Sequence, residues 1–392
     1  MKIGIIGQGA CGLYLGIMLK QKDINNDIYI IDKNQKPGRK LYVTGNGRAN
    51  IGNNKIEKFS YNNSLANNLV KTYDNISLKK FLNSIGIGVR YLNNLMYPFS
   101  LSAKAYVDYL IKLNKEYKVH FINLDMMKEY TLTKDNMIEV TLLSKKMKFD
   151  KLIICSGGKS HSILGSDGKV FDILKKHKYK ITKLNPGLVP IKVKEKVNAI
   201  ENERLKAKIT LYIDKHNAYE EEGEVLIKKD GLSGICIFNA SSIIARDPGF
   251  KEAKIYLDLF ADLPLETLTS KFIEANKVSK CNFLEGYFNK NMAEYIRKNS
   301  GVKNLMVFDN QEIKKIAKFV KNIEFTYASS YTFNDSQVTV GGIDINEVND
   351  NLESKKEKNV YFAGEILDLD GLCGGYNLML CYATSKKIAD SI

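Results

Sequence analysis

The residues Gly7-Gln8-Gly9-Ala10-Cys11-Gly12 have the types and the spacing to hold a pyrophosphate. They follow a short apolar run, 2–6, that reads as a buried strand, and they precede a stretch, 13–20, able to run as a helix. A second strand, 27–31, ends in Asp32 and is followed by Lys33. In that setting each residue has a task. Gly7 makes the tight turn, Gly9 lets backbone approach a phosphate, and Gly12 lets helix and strand pack closely. The helix start at Ala10 and Cys11 offers N–H groups and the positive end of its dipole to an anion. Asp32 can accept hydrogen bonds from a ribose. A lone G-x-G-x-x-G is weak evidence. The strand before it, the helix after it and the acid at this distance make it a dinucleotide-binding fingerprint. Asp32 meets the same ribose in NAD and in FAD, and no second fingerprint follows another strand.

Two further stretches carry chemistry. In 337–377 an apolar strand, 360–363, leads into Gly364, Glu365, Asp368, Asp370, Gly371, Cys373, Gly374, Gly375, Tyr376 and Asn377. Chain ends in globular domains fray and usually carry little. A Gly-rich, acidic, Cys-containing loop here argues for a site; the bland alternative is a tight turn before a last helix. In 37–53, Arg39, Lys40 and Arg48 alternate with Thr44, Gly45, Asn46, Gly47 and Asn50. Such a loop can wrap a long anionic cofactor, or be an ordinary surface loop.

The run G-R-K-L-x-x-T-G-N-G-R-A-N over 38–50 resembles a segment of the BaiN/YhiN-like flavoproteins, a bacterial family of two-dinucleotide-type FAD oxidoreductases. Further blocks resemble the family in order: Tyr97-Pro98-Phe99-Ser100 with Ser102-Ala103, then Cys155 to Ser160 through Gly168, then Gly231-Leu232-Ser233-Gly234, then the C-terminal stretch. The chain departs from the pattern at Ala49, where the family usually has Cys, and at Ile235 and Leu372, where Pro is usual. Ala49 excludes a catalytic thiol at that position.

The resemblance implies a bound FAD, with NADH or NADPH as electron donor. It places Gly7, Gly9, Ala10, Cys11, Gly12, Asp32 and Lys33 on the ADP half. It places Arg39, Lys40, Thr44, Gly45, Asn46, Gly47, Arg48 and Asn50 along the pyrophosphate and flavin. Ser156, Gly157, Gly158, Gly364, Glu365 and Asp370 would border the cofactor, and Gly374, Gly375, Tyr376 and Asn377 would open the last helix toward the flavin. Reduction of a conjugated C=C needs a hydride and a proton from an acid. Cys373 is the sharpest candidate, since a thiol is mostly protonated near neutrality, with a reference pKa of about 8.5. A free cysteine is more often a small buried hydrophobe. Tyr376 is the alternative acid, and Arg48 can orient a carbonyl or a phosphate.

The cysteines and histidines are scattered, without metal-site or disulfide spacing, which fits a reducing cytoplasm and no metal. No run approaches about 18 apolar residues, so no membrane span is expected. The first strand leaves no room for a signal peptide. Net charge is +15. A basic surplus suggests an anionic partner such as nucleic acid, although a surplus made mainly of lysine also arises from AT-rich coding.

The expected fold class is α/β: a Rossmann-like FAD-binding domain with an inserted β-barrel domain and a small helical domain. The boundaries fall at 1–187 (FAD-binding, first part), 188–262 (barrel-like), 263–322 (helical) and 323–392 (FAD-binding, second part). Within them we expect connecting helix over 56–81, a hairpin around Asn93-Asn94, a helix capped by Ser102, and a meander of strands 119–124, 129–133 and 138–143. A buried strand should follow at 151–155. Strands 206–213, 224–227 and 255–259 build the barrel, and 325–331 leads back to the FAD domain.

The family resemblance implies C=C reduction, either of steroid-type enones or of a uridine in large-subunit ribosomal RNA. We favour uridine to dihydrouridine in 23S rRNA, with the inserted domains as the RNA-facing surface. A small-molecule enone reductase or oxidase is the alternative, and a non-catalytic flavin-carrying RNA-binding or ribosome-assembly factor is the third. Oligomeric state is not legible in the sequence.

Overall fold

The computed structural model describes residues 1–57, 60–247, 249–303 and 307–392, without the side chain of residue 281. The parts of the helical segments expected at 56–81 and 263–322 that fall on 58–59 and 304–306 lie outside the described residues. The fold gathers into two compact units, Met1–Pro186 with Ser336–Ile392, and Gly187–Asp335.

The first unit is built on a five-stranded parallel sheet in the order Val360–Phe362, Lys151–Ile154, Lys2–Ile6, Asp27–Ile31, His120–Ile122. Parallel strands are covered on both faces, so they read as near-continuous apolar runs. The helix Ala10–Lys22 packs on the last helix, Tyr376–Ser391, where Tyr14 meets Tyr382 edge to face at 6.4 Å. A meander of Met127–Leu132, Ile138–Leu142 and Lys146–Phe149 closes on the sheet, with the Phe149 ring filling the space over Gly4. Register matters most. Ile6 lies opposite both Ile31 and Ile154, and Ile154 opposite Phe362. Four strands therefore end level, and the chain leaves them at Gly7, Asp32, Cys155 and Ala363. In open α/β sheets, ligands bind beyond such carboxyl ends, where the strand order reverses.

One helix contact shows how closely the layers fit. Asn114 on Ala103–Glu116 is fully buried and donates its amide to the carbonyls of Leu13 (3.0 Å) and Leu110 (2.9 Å). A Cβ at Gly16 would fall 2.1 Å from Asn114 Oδ1. Gly16 is what lets the two helices close around that amide.

Several expectations shift. Residues 120–122 pair in parallel with Tyr29–Ile31, so they belong to the main sheet. The third meander strand is Lys146–Phe149, whose exposed lysines disguise it. The segment 56–81 is two helices, Ser64–Thr72 and Asn75–Ser84, each capped by a side chain, Asn63 and Asp74. The hairpin is present as Val89–Leu92 with Leu95–Pro98, and Ser102 caps Ala103–Glu116 through the Ala105 N–H at 3.2 Å.

The second unit holds a closed six-stranded barrel of Ile191–Val193, Gly231–Ser233, His216–Lys228, Arg204–Ile213, Ala253–Asp258 and Ile323–Ser330. Along Arg204–Ile213 buried and exposed residues alternate, as a barrel wall requires. Ile323–Ser330 closes the barrel against Ala253–Asp258 and Ile191–Val193, so 325–331 is barrel wall rather than an exit. His216–Lys228 is far longer than the expected 224–227: within 216–222 the half-buried positions are Tyr219 and Glu221 and the exposed ones include Ala218, so residue type does not follow the alternation in burial. The helix Ile235–Arg246 gave no amphipathic signal because it buries Asn239, Ser241 and Ser242 as well as its apolar side chains. The helices Leu265–Ser279, Lys290–Asn299 and Asn310–Val320 share one hydrophobic cluster with the barrel.

Gly16→Ala should lower stability by about 1–3 kcal/mol, the usual cost of overpacking. Urea denaturation checks this. A midpoint equal to the wild type's would show that the two helices are not held at this separation.

Candidate active site

The glycine motif divides its labour as its surroundings demand. Gly7 has φ +119°, and a Cβ there would lie 2.5 Å from the Cys155 carbonyl oxygen. At Gly12 a Cβ would lie 2.0 Å from the Gly7 carbonyl oxygen. Gly9 differs: no heavy atom lies within 4 Å of the position its Cβ would take. That open space, at the head of Ala10–Lys22, leaves room for an anion. Asp32 accepts the Gln8 N–H (2.9 Å), the Asn34 N–H (2.8 Å) and the Asn34 side-chain amide (2.7 Å), which fixes its carboxylate at the strand end.

A cleft of about 330 Å³ opens beside Asp32, lined by Gly7, Lys33, Met127, Ser156, Gly158, Asp167 and Val170 among others. Its volume falls within the range of small-molecule sites, about 300–1,000 Å³. Apolar walls with the Asp32 carboxylate at the strand end suit an adenosine, and Asp125, Asp167 and Asp172 also line the cleft. Lys33 pairs with Asp167 at 2.6 Å. Burial opposes the Asp167 charge, but Lys33 and the Lys169 N–H together hold its carboxyl below the usual range. A larger hollow of about 550 Å³ lies on the barrel wall of the second unit, lined by Tyr212, Glu220, Lys254 and Tyr256 among others, with none of the glycine motifs in it.

Glu365 is tied down rather than solvated. It accepts the Thr339 N–H (2.8 Å), the Ser160 hydroxyl (2.9 Å) and the Lys40 ammonium (3.0 Å). Lys40 also reaches Ser160 Oγ at 2.8 Å. The Thr339 hydroxyl accepts the N–H groups of Lys159 (2.7 Å) and Ser160 (3.1 Å). A Cβ at Gly158 would fall 2.3 Å from Thr339 Oγ1, so Gly158 makes room for this knot. Gly364, with φ +71°, admits the Cys11 thiol, which would stand 2.5 Å from a Cβ there. Cys11 itself is buried, so it shapes the helix start rather than facing solvent.

The other expected residues fall into place around these. Arg39 donates to Asn34 Oδ1 at 2.9 Å. The Thr44 hydroxyl donates to the Leu41 carbonyl, and Gly45 and Asn46 both adopt left-handed backbone, which turns the loop sharply. Ser156 and Gly157, the latter at φ +75°, carry the chain away from Lys151–Ile154. Arg48 and Gly47 are exposed. The Asn50 amide sits between the Gly52 carbonyl and the Gly375 N–H, at 3.0 and 3.3 Å. Asn53 donates to the Gly374 carbonyl at 2.9 Å. Asp370 is buried, with its N–H and C=O both exchanged with Asn62.

The two acid candidates separate here. The Tyr376 hydroxyl is buried and donates to the Lys55 carbonyl at 2.5 Å, which commits its proton to the fold. Asn377 likewise spends its amide on Gly371, donating to its carbonyl and accepting its N–H, both at 2.9 Å. Tyr376 and Asn377 thus brace the loop that carries Cys373. Cys373 is half-exposed, and its thiol points to Gln337 Oε1 at 3.7 Å. The Gln337 main-chain carbonyl is a second, longer acceptor for the Ser160 hydroxyl, at 3.4 Å against 2.9 Å to Glu365. Lys40, Ser160, Glu365, Gln337 and Cys373 thus form one connected polar chain.

Ser160, Gln337, Thr339, Asn34, Asn53 and Asp167 escaped selection as site residues. Ser160 and Asp167 lie in a block already singled out, and Gln337 opens the C-terminal stretch. Their roles come from partners distant in sequence, which no local pattern shows.

A family model described as HI0933-like protein Rossmann domain matches residues 1–391. The chain belongs to the HI0933-like Rossmann family. It is an FAD-dependent oxidoreductase, as the resemblance implied. Relatives include a protein named 3-dehydro-bile acid delta(4,6)-reductase from Clostridium scindens, 28% identical over 98% of this chain and 97% of its own. Another, from Escherichia coli, is named ribosomal RNA dihydrouridine synthase, 25% identical over 99% of this chain and 97% of its own. Among solved structures, a 3-ketosteroid delta1-dehydrogenase from Sterolibacterium denitrificans is similar with TM-score 0.48 at 10% identity, covering 100% of this chain and 99% of that one. Among the described residues no helix is long and apolar enough to cross a membrane, and no group of three or more His, Cys, Asp or Glu could hold a metal ion.

The glycines give a contrast to measure. Gly9→Ala should fold with an unchanged melting temperature yet bind FAD about five- to hundred-fold more weakly, because its methyl enters the cofactor's space at about 1–3 kcal/mol. Gly12→Ala should lose thermal stability before any cofactor is added. Equal FAD affinity in Gly9→Ala, read by flavin fluorescence titration, would remove Gly9 from the phosphate site.

Proposed function

We propose that this chain reduces a uridine to dihydrouridine in large-subunit ribosomal RNA. The observation that carries the reading is the distribution of charge between the two units. Lysine and arginine are equally dense in both, about one residue in seven. Acids are not. The barrel unit has 21 aspartates and glutamates against 23 lysines and arginines, a net +2. The dinucleotide unit has 23 acids against 36 basic residues, a net +13. Coding bias accounts for even lysine but not for acids thinned in one unit only. A positive field around a redox site favours a polyanion. The barrel and helical segments, which the sequence suggested as the RNA-facing surface, carry almost none of the surplus. The names of the Escherichia coli relative and of one from Haemophilus influenzae support the same substrate.

The roles we assign are these. Gly7, Gly9, Gly12 and Asp32 hold the ADP half of FAD, with Lys33 and Asp167 at the edge of the adenosine cleft. Lys40, fixed by Glu365 and Ser160, supplies positive charge toward the pyrophosphate. Reduced FAD supplies a hydride when bound, and NADH or NADPH is the donor class that restores it. Cys373 delivers the proton to the carbon next to the carbonyl and takes one back from water. Gln337 positions the thiol. Asn50, Asn53, Tyr376 and Asn377 hold the Cys373 loop in place, and Arg48 is available to a carbonyl or a phosphate.

A second reading, reduction of a free conjugated enone, is favoured by the higher identity to the bile-acid reductase. It uses the same thiol and differs in the substrate.

Cys373→Ala should keep its flavin and reduce substrate more slowly by roughly 10²–10⁴, the scale of a general acid. Single-turnover reoxidation of the reduced protein checks this, and an unchanged rate removes Cys373 from the mechanism. Mass-spectrometric mapping of dihydrouridine in 23S rRNA, with and without the gene, tests the substrate. Loss of one site, restored by the wild type but not by Cys373→Ala, is the expected result. An unchanged map moves the substrate to free enones. RNA affinity should also fall steeply with salt.

A further inference from the structure

We infer that Phe99 and Arg90 form a stacking platform for an unpaired nucleobase of an RNA ligand, a reading that rests on the RNA substrate proposed above. Phe99 is one of the most exposed large apolar side chains of the dinucleotide unit, at 63%. Single exposed apolar residues are common and need no explanation. Phe99 is different because it is held. Its N–H donates to the Gly88 carbonyl at 2.8 Å, and the Leu101 N–H closes a turn onto the Pro98 carbonyl at 2.9 Å. The Arg90 guanidinium lies 3.9 Å from the ring centroid. One face of the ring is thus taken by a cation, and Arg90 Nε is buried without a hydrogen-bond partner. A planar ring, fixed at its backbone and backed by a guanidinium, is an arrangement on which bases stack.

Position and charge both point to a strand of RNA. The platform lies on the hairpin Val89–Leu92 with Leu95–Pro98, whose second strand pairs with Gly52–Asn53. Asn53 holds Gly374, next to Cys373. The Ile51 N–H donates to the Met96 carbonyl at 2.8 Å, which ties the end of the Arg48 loop to the same hairpin. Among the described residues, Arg39, Arg48 and Arg90 have no carboxylate partner, whereas Arg204 and Arg297 of the barrel unit are paired with Glu224 and Glu285. Arginines left without acids beside an exposed ring offer phosphate contacts next to a base contact. A neutral free enone would use the ring but not the charge.

The test uses the full FAD-loaded chain and a short unstructured RNA carrying 2-aminopurine, whose fluorescence falls when it stacks. Wild type and Phe99→Trp should bind the RNA and quench the probe. Phe99→Leu, apolar but not planar, should bind about five- to hundred-fold more weakly, the range for one lost base stack, and leave the probe unquenched. Flavin content and melting temperature should not change in either variant, since the ring is exposed. If Phe99→Leu binds and quenches like the wild type, the platform is wrong while RNA reduction stands. If the wild type binds no RNA at low salt, both fall. If Phe99→Leu lowers turnover of a free enone as strongly as RNA binding, the ring serves a small substrate and the inference is overturned.

Discussion

The close approach of Gly7 to the Cys155 carbonyl is the constraint on which the rest of this molecule depends. It occurs where the strand order of the sheet reverses, and it brings two loop segments separated by well over a hundred residues into backbone contact. No side chain fits between them. Because the strands end level, the segments after Ile6, Ile31, Ile154 and Phe362 all emerge at one edge. The polar chain from Lys40 to Cys373 exists because of that registry. A slip of one residue in any strand would turn its side chains to the other face and break the chain.

The sheet and its glycine turn are legible in the sequence because both rest on local signals. Apolar runs, glycines and one acid at a set distance are short-range patterns. The strands 2–6 and 27–31 end where the pattern ends. Elements were missed where local pattern and environment disagree. The strand His216–Lys228 is polar over its first half, and the helix Ile235–Arg246 buries serines and an asparagine. Residues 120–122 look like part of a meander, because pairing partners are not written in a strand's own sequence. The site followed the same rule. Glycines with special backbone angles were identifiable, while Ser160, Thr339 and Gln337 gain meaning only from groups far along the chain. Tyr376 and Asn377 follow the expected glycines at the start of the last helix, and the structure shows their polar groups bonded to loop backbone.

Charge needs both levels of description. The total of +15 is a property of the whole chain and could not be assigned to a surface. Once the units are known, the surplus proves to be an absence of acids rather than an abundance of lysines. The two descriptions differ physically. Acids thinned from one unit leave Arg39, Arg48 and Arg90 without carboxylate partners among the described residues, and a cation without a counter-charge is the one that can bind an external anion at small desolvation cost.

The strand Val360–Phe362 lies at an edge of the sheet, beside Lys151–Ile154. Its place governs the order in which this protein can be made. The four strands contributed by the first unit's early residues can pair before the barrel is synthesised, and the last strand then adds without prising them apart. During that interval the Lys151–Ile154 edge stands open to other chains. At about 5–20 residues per second the wait is on the order of ten to forty seconds. Glu365 arrives with the final strand, so Lys40 and Ser160 wait as long for their carboxylate. A ribosome that pauses in the barrel would hold a half-made nucleotide site with an unprotected sheet edge, which makes this interval the one in which a chaperone has most to protect.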